Sequence, residues 1–568
     1  MNYENITDIF KLPINYTNKY SIKKNIVDDL ELEQYKNSEI QNIYSTIFDS
    51  SYEIFDNLST IWNKFYTNDI NFLKQQQNII KKHNKFNFTD FDHLQDIYNT
   101  IHLNQRFLSD FNFFDHQTFQ FMNNSKTFLS YYSFANILSP LINLSYPIFF
   151  IIVPFFIIKF VKKQNIDFKL YIEILKEVAK NHTIGKLLTI HNANLNSKIF
   201  IIFSSIFYFY STYNNILSCI KHHNNFYFIF DFFNSVKKYL ENTLNNINNF
   251  IKISHKQILF KPFLQKLHQH EITLSNYYTE LNKFNNNFTY IHTINNMGDI
   301  LLQLYKFKFD ENIKNAFLHS IGFNYYSYCL FNLHQKNNNN IVNFTKFTNK
   351  NIFKIKGLTN PVIDNSIKNN INFKKNYIIT GPNASGKTTI IKSTTLAIIF
   401  SQQFGCGYFD KCYLKPYNYI HCYLNIPDTS GRDSLFQAEA RRCKNIIDEL
   451  DTENRHFCIF DELFSGTNPY EAVASAYSFL YYIKQFNTNI MLTTHYIQLC
   501  NFIEKNKYTK KCFTNFHMNC QYNLDNTIIY NYTISKNISN IKGGVQVLIQ
   551  LNYPKSIIQN TLKVIKNI

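Results

Sequence analysis

Residues 380–389, Thr-Gly-Pro-Asn-Ala-Ser-Gly-Lys-Thr-Thr, limit the possible fold of this chain more than any other feature. They match the pattern Gly-x-x-x-x-Gly-Lys-Ser/Thr and follow the apolar residues 377–379. Glycines let the backbone curl so that successive N–H groups point at one anion, and a helix that begins here directs its positive end at the same anion. The sequence therefore predicts a strand, a phosphate-binding loop and a helix, which together open an α/β nucleotide-binding domain.

The predicted ligands of this loop are ATP and Mg²⁺. In such a loop the lysine, Lys387, places its charge on the β and γ phosphates, and the hydroxyl of Thr388 is available to Mg²⁺. The residues expected to contact the nucleotide are Gly381, Pro382, Asn383, Ala384, Ser385, Gly386, Lys387, Thr388 and Thr389.

Two later motifs complete the predicted site. Apolar residues 457–460 precede Asp461 and Glu462, which predicts a strand that delivers Asp461 to the metal and Glu462 to the attacking water. His495 follows the apolar residues 490–492, so it should lie at the ligand edge of a parallel sheet, within reach of the γ-phosphate. We therefore expect catalytic roles for Glu462 and His495, and Mg²⁺ ligands in Thr388 and Asp461.

Ser434 marks a further candidate position. It follows the polar stretch 428–433 and suits the N-cap of a helix, whose first turn can bind an anion. The predicted nucleotide site gives this second anion site no evident role within its own chain, which suggests that Ser434 acts across a dimer.

The order of elements predicts a multidomain chain. Residues 1–345 show helical spacing of apolar residues and form an all-α region, and the polar run 335–340 is expected to be a loop. Residues 346–568 alternate short strands with helices, which predicts an α/β domain with a largely parallel sheet. The helical stripes are Ile47, Ile54, Leu58, Ile61 and Phe65, and then Val236, Leu240, Leu244, Ile247 and Ile251.

The composition limits the partners and the compartment. The net charge of +18, from 58 Lys and Arg against 40 Asp and Glu, favours a polyanionic partner, although an A+T-rich genome would also enrich lysine. The ten cysteines form no Cys-x-x-Cys pair, which predicts reduced thiols in the nucleus, the cytoplasm or a viral factory. Five residues could be imagined as zinc ligands, but no second cluster with zinc-like spacing accompanies them. They are Cys219, His222, His223, His268 and His270.

Residues 127–220 allow an alternative. The stretches 127–158 and 199–220 carry no charged residue and could form a membrane hairpin. Against this, Pro140, Pro147 and Pro154 interrupt the first stretch, and the segment between the two is rich in lysine. We therefore favour buried helices for this region and keep a membrane-anchored ATPase with a protein or lipid partner as the alternative.

Taken together, these motifs resemble the ATPase domain of the MutS family of DNA mismatch-repair proteins. The similarity rests on residues 380–389, 434–439, 461–467 and 493–496, in that order, and on a similar closing segment at 515–518, 542–547 and 553–554. It implies two subunits that each hold ATP between one phosphate loop and the partner's Ser434. It further implies that Gly466 and Thr467 lie at the dimer seam and that adenine contacts lie near residues 360–363.

The resemblance implies a homodimeric, ATP-gated clamp on duplex, mismatched or branched DNA, acting in mismatch repair or recombination. It predicts lever and clamp helices in residues 1–345 and an ATPase domain with a C-terminal dimerisation segment in residues 346–568. About 350 residues precede the ATPase motifs, and the first 100 contain no Phe-x-Glu triplet, so we expect a reduced form without the family's mismatch-reading wedge. A transporter-type nucleotide-binding subunit is disfavoured because its Ser-Gly-Gly-Gln signature is absent.

Overall fold

A computed structural model gives the fold of the chain. It describes residues 3–33, 42–50, 52–161, 167–181, 186, 190–192, 194–284, 296–424, 426, 434–523, 528–539, 541, 545, 548–549 and 551–567. The chain divides into two compact units, one containing His93–Asn242 and Ile272–Phe317, the other Asn2–Asp92, Thr243–Glu271 and Leu318–Ile568. The division differs from the predicted boundary near residue 345, because the amino-terminal residues belong to the same unit as the phosphate loop.

Helices dominate the residues before 340, as the spacing of apolar residues predicts. They are α1 (Tyr3–Ile9), α2 (Lys24–Asp29), α3 (Ile43–Phe48), α4 (Glu53–Leu58), α5 (Ile70–Lys82), α6 (Phe91–His102), α7 (Phe107–Asp110), α8 (Lys126–Phe156), α9 (Phe168–Asn181), α10 (Leu195–Ser254), α11 (Lys261–Asn282), α12 (Met297–Phe309) and α13 (Glu311–Asn338). A two-residue ribbon departs from the all-α expectation, since β1 (Tyr20–Ser21) pairs antiparallel with β2 (Phe65–Tyr66). Of the helices in the described residues, none has both the length and the apolarity needed to span a bilayer.

The prediction of one continuous helix through Ile47 and Phe65 is wrong. Asn42 caps α3 by accepting a hydrogen bond from the Ser45 amide, and Asp49 ends it in the left-handed conformation at φ +48°. A new helix, α4, then begins at Glu53, and Phe65 lies in β2. The apolar spacing still identified the core, because the first four residues of the stripe are buried. The second stripe lies on α10, as predicted.

The polar run 335–340 is not the expected loop, because α13 continues to Asn338. Tertiary contacts explain why this run stays helical. The ammonium group of Lys336 donates to the carbonyl oxygens of Thr46 at 3.1 Å and Ile47 at 2.7 Å, and it pairs with Asp49. Lys336 thus caps the carboxyl end of α3, where a cation interacts favourably with the unpaired carbonyls.

A six-stranded sheet positions the predicted motifs. Its order is β13-β12-β6-β11-β10-β9, and all neighbours are parallel except the β12–β13 pair. Parallel strands cannot be joined by tight turns, so helices connect them across the faces of the sheet. The strands are β6 (Asn376–Thr380), β9 (Tyr419–Tyr423), β10 (His456–Asp461), β11 (Thr488–Thr493), β12 (Phe513–Tyr522) and β13 (Ile528–Lys536). The helices are α14 (Lys387–Phe404), α15 (Leu435–Glu449), α16 (Pro469–Ile483), α17 (Ile497–Lys505), α18 (Lys507–Cys512) and α19 (Lys555–Asn567).

A second sheet of five strands has the order β5-β4-β8-β3-β7. The short apolar run 352–355 predicts one of its members, β4, and the rest are short and partly polar. The strands are β3 (Asn343–Phe347), β4 (Phe353–Leu358), β5 (Asn369–Asn372), β7 (Cys406–Gly407) and β8 (Lys411–Leu414). All pairs in it are antiparallel except β3–β8.

Helix α14, which follows the phosphate loop, is buried along nearly its whole length. Its carboxyl end is held by amino-terminal residues. Gln402 donates to the carbonyl oxygen of Thr67 at 3.1 Å, and Gln403 donates to that of Phe65 at 2.9 Å. Gln77 donates to the carbonyl oxygen of Gly405 at 2.6 Å. Side-chain amides thus join α14 to the residues around β2 and α5.

Candidate nucleotide-binding site

The strand order brings the three predicted motifs to one edge of the six-stranded sheet. Asp461 on β10 is in register with Thr493 on β11, and Thr493 is in register with Ile379 on β6. Because these strands are parallel, their carboxyl ends lie side by side, and the loops that follow them meet there. The phosphate loop, Glu462 and His495 therefore adjoin one another, as the sequence predicts.

The phosphate loop has a backbone that few side chains could accept. Gly386 lies at φ +91°, and a Cβ atom there would be 3.2 Å from the ring of Tyr532. Ala384 adopts φ +61°, an uncommon conformation for a residue with a side chain. The hydroxyl of Ser385 is buried and has no hydrogen-bond partner within the described structure. A phosphate oxygen at the loop would supply the partner that this hydroxyl requires.

Lys387 begins α14 and is 6% exposed. Its Nζ donates to the carbonyl oxygens of Gly381 and Pro382, each at 3.1 Å, and lies 3.3 Å from His495 Nε2. Burial lowers the pKa of Lys387, while the charges of Glu462 and Asp461 act in the opposite direction. A phosphate in the loop would place a further negative charge beside this buried cation.

The predicted metal ligands are in contact. Thr388 Oγ1 donates to Asp461 Oδ2 at 2.8 Å, and the hydroxyl of Thr493 donates to the other oxygen of the same carboxylate. A hydroxyl beside a carboxylate suits Mg²⁺, which takes few protein ligands and completes its shell with phosphate oxygens and water. The described residues contain no cluster of three His, Cys, Asp or Glu side chains that could hold a metal. Thr493 was not predicted as a site residue. Its register opposite Asp461 explains why its hydroxyl reaches this carboxylate.

Glu462 and His495 form a pair beside the loop. His495 Nε2 lies 2.7 Å from Glu462 Oε1, and this hydrogen bond is the main cause of a lowered pKa for Glu462. The backbone of Glu462 is left-handed at φ +53°, a conformation that costs energy and persists only where its surroundings enforce it. Its amide donates to the carbonyl oxygen of Thr493 at 3.1 Å, which helps to hold it. The pair therefore keeps an ionised carboxylate at the edge of the cavity.

The pH dependence of catalysis should report this pair. Replacing His495 by Ala removes the hydrogen bond that lowers the Glu462 pKa, so that pKa should rise towards its ordinary value. A carboxylate that acts as a base is lost as the pH falls through its pKa. The acidic limb of kcat/KM for ATP should therefore move to higher pH in the variant. The profile is measured between pH 4 and 8, with a variant of the exposed His255 as the control. An acidic limb that does not move in the His495 variant would contradict the role of the pair.

A cavity of about 720 Å³ opens beside the phosphate loop. Besides residues 383–390 of the loop and helix, Asn360, Ile363, Met518 and Tyr532 line it, together with Glu462. Two of these fall in the stretch 360–363 that was expected to contact adenine. Tyr532 was not predicted. It lies at φ +52° within β13, and Asn369 fixes this point by donating to the Tyr532 carbonyl oxygen at 2.9 Å and accepting from the Ile534 amide at 2.8 Å.

Ser434 lies apart from the lining of this cavity. It caps α15 through a reciprocal pair of hydrogen bonds with Gln437. The buried carboxylate of Glu439 accepts from the amides of Ser465 and Gly466 at 3.0 and 3.2 Å, so the start of α15 is fixed to the loop after Glu462. Gly466 is needed at this contact, since a Cβ atom would lie 2.8 Å from the Phe436 amide nitrogen.

Some predicted residues fall outside the described structure or have local roles. The hydroxyl of Thr467 donates to Glu471 at 2.9 Å, within the turn that begins α16. Residues 427–433, before Ser434, and 542–544 and 546–547, in the closing segment, lie outside the described residues. The same holds for 526–527, the start of a strand that the sequence predicts over residues 526–535.

Comparison with known proteins agrees with this geometry. Residues 377–568 match the family model of MutS domain V. The chain is 29% identical to the DNA mismatch repair protein MSH3 of Candida albicans over 205 residues, which cover 33% of this chain and 18% of that protein. It is 32% identical to the endonuclease MutS2 of Staphylococcus epidermidis over 146 residues (24% and 18%), and 27% identical to the DNA mismatch repair protein MutS of Prochlorococcus marinus over 230 residues (39% and 24%).

The match is confined to part of each relative, since the chain spans only about a fifth of the length of the curated relatives it matches. In this chain, the residues that match the family model contain the phosphate loop, the acidic pair, Ser434 and His495. Residues 377–568 therefore belong to the MutS family as its domain V.

Proposed function

We propose that the chain is a MutS-type ATPase that binds DNA as an ATP-gated homodimeric clamp, in DNA mismatch repair or recombination. The observation that carries the ATPase part is the convergence of Lys387, the Thr388–Asp461 pair and the Glu462–His495 pair at the mouth of one cavity. These groups supply a phosphate clamp, a metal site and a general base, the parts that hydrolysis of a nucleotide requires.

The roles of the residues follow from their positions. Backbone amides of the phosphate loop and Lys387 hold the β and γ phosphates, and Tyr532 borders the remainder of the cavity, where the base and ribose would lie. Glu462 accepts a proton from the attacking water as oxygen bonds to the γ-phosphorus and ADP leaves. His495 orients the carboxylate of Glu462. Mg²⁺, held by Thr388 and Asp461, would neutralise charge on the phosphates.

The proposed dimer explains the position of Ser434. A serine at the amino end of α15 can donate its hydroxyl to a phosphate and directs a helix dipole at the same group. Since Ser434 does not line the cavity of its own chain, we assign it to the γ-phosphate bound by a second copy. ATP would then join two chains, and hydrolysis would release them.

DNA is the proposed partner for two reasons. Proteins named for DNA mismatch repair share domain V with this chain, and its net charge of +18 favours a polyanion. Without a Phe-x-Glu wedge in the first 100 residues, contacts would go mainly to phosphates. Affinity for DNA should therefore fall steeply with salt, because each neutralised phosphate releases bound counterions.

Steady-state ATP hydrolysis tests the proposal directly. The full chain is assayed alone and with homoduplex, mismatched, single-stranded and four-way junction DNA of equal length. We expect Mg²⁺-dependent hydrolysis that at least one of these DNAs changes several-fold, and an effect that declines as salt rises. Hydrolysis that no DNA alters would refute the DNA-gated part, and the absence of hydrolysis would refute the ATPase assignment.

A further inference from the structure

Residues 23–31, here called the strap, connect the two halves of the nucleotide machinery within one chain. The strap contains α2, which packs against β9, the strand before the segment that leads to Ser434. Its charged side chains reach two different helices. Lys23 pairs with Glu449 at the end of α15, and Glu31 pairs with Lys392 of α14 at 3.2 Å.

Asp29 is the central contact of the strap and is only 6% exposed. One of its oxygens, Oδ2, accepts from the Leu424 amide at 3.2 Å and from the Arg442 guanidinium at 3.1 Å. Arg442 also donates to the carbonyl oxygen of Cys422 at 2.9 Å. Leu424 precedes Ser434 in the chain and Arg442 follows it on α15, so a single carboxylate holds both sides of the segment that presents Ser434.

A contribution to the stability of the fold does not by itself explain why this buried contact is present. Burial raises the pKa of Asp29 to about 6, in spite of the nearby charge of Arg442. The ionised carboxylate is therefore less favourable in the folded chain than in the unfolded chain at neutral pH. Buried ion pairs often add little stability compared with an apolar contact, and a role in fixing geometry is the alternative explanation.

We infer that Asp29 is a positioning residue for ATP hydrolysis, which, through Arg442 and Leu424, sets the place of Ser434 at the nucleotide of the partner chain. The inference rests on the proposed function, in which ATP is shared between two copies. Glu31 and Lys392 connect the same strap to α14, between one and two turns beyond Lys387. The strap thus fixes the spacing between two parts of one chain. One is the phosphate loop, which holds the chain's own ATP, and the other is Ser434, which reaches the ATP of its partner.

Mixed dimers separate the two half-sites. A Ser434→Ala chain and a Lys387→Ala chain are each inactive, but their mixture should hydrolyse ATP, because one composite site keeps an intact phosphate loop and an intact Ser434. Asp29→Asn is then placed in one chain or in the other. When Asp29→Asn is in the Lys387→Ala chain, which donates Ser434, kcat should fall about tenfold and the KM for ATP should not change. A small displacement of a catalytic group has effects of this size.

In the Ser434→Ala chain, which donates the phosphate loop, Asp29→Asn should leave kcat close to that of the unmodified mixture. This arm also shows that the variant folds and pairs. Asp28→Asn, at the exposed carboxylate next along the strap, is the matched control and should have no effect in either chain. Arg442→Gln removes the other side of the contact and should reproduce the asymmetry.

Equal losses in both chains, or no loss in either, would overturn the role of Asp29 while leaving the shared site intact. A mixture that stays inactive, although the unmodified chain hydrolyses ATP, would refute the shared site itself and with it this role of Asp29. The two failures are therefore distinct.

Discussion

Replacing Glu462 by Gln should lower kcat for ATP hydrolysis by about 10²–10⁴-fold, the usual contribution of a general base. Glutamine keeps the shape of the side chain but cannot accept the proton of the attacking water. His495 can still donate to the amide oxygen, so the local structure should persist. The phosphate loop and the Thr388–Asp461 pair are untouched, and ATP should therefore remain bound in a stalled complex.

Two measurements decide this prediction. Single-turnover hydrolysis gives the chemical rate, and equilibrium binding of a fluorescent ATP analogue gives the affinity. Glu453→Gln is the matched control, because this exposed carboxylate lies in the turn before the same strand, β10, at the end remote from the cavity. Turnover at the normal rate in Glu462→Gln would mean that another group activates the water.

Replacing Lys387 by Ala should weaken ATP binding by at least about 30-fold, which corresponds to about 2 kcal/mol for the loss of a buried charged partner. The lysine is 6% exposed and its Nζ contacts the carbonyl oxygens of Gly381 and Pro382, so the substitution removes a buried cation from the centre of the phosphate loop. The loss should appear in KM and in the dissociation constant. This result would differ from that of Glu462→Gln, where the defect is confined to the rate.

The control for Lys387→Ala is Lys374→Ala, which removes an exposed lysine just before β6, at the other end of the strand from the loop. It removes the same charge from the chain but none from the cavity. Isothermal titration with ATP and Mg²⁺ would give both affinities. If the two variants bound ATP equally well, the cavity beside the loop would not be the nucleotide site.

The sequence located the motifs that meet at the candidate site better than it located the elements of the fold, because each motif is a short stretch of chain. A phosphate loop needs its glycines and Lys387 within one turn, and an apolar strand that ends in Asp461 and Glu462 is also local. The sequence further located the buried face of residues 47–61. It did not locate the break at Asp49, although an aspartate followed by Ser50 is a recognisable helix end.

Other features depend on partners that are distant in the chain. The strand β5 reads Asn-Asn-Ile-Asn and becomes a strand through its pairing with β4. The end of α13 stays helical because Lys336 reaches α3, about 290 residues away. Tyr532 enters the cavity through a left-handed residue within a strand, which no local pattern announces. In each case tertiary contacts outweigh intrinsic propensity.

The hydrogen bonds at the carboxyl end of α14 have a consequence for any attempt to work with domain V alone. A fragment of residues 346–568 would lack the carbonyl groups of Thr67 and Phe65, which receive the Gln402 and Gln403 amides, and it would lose the rings of Tyr44 and Phe48 that cover Phe400 and Phe404. We therefore expect the part of the chain that folds cooperatively to be longer than the part that relatives share, since the unit with the phosphate loop includes Asn2–Asp92. Shortening from the amino terminus should be judged by thermal melting before any loss of turnover is attributed to chemistry.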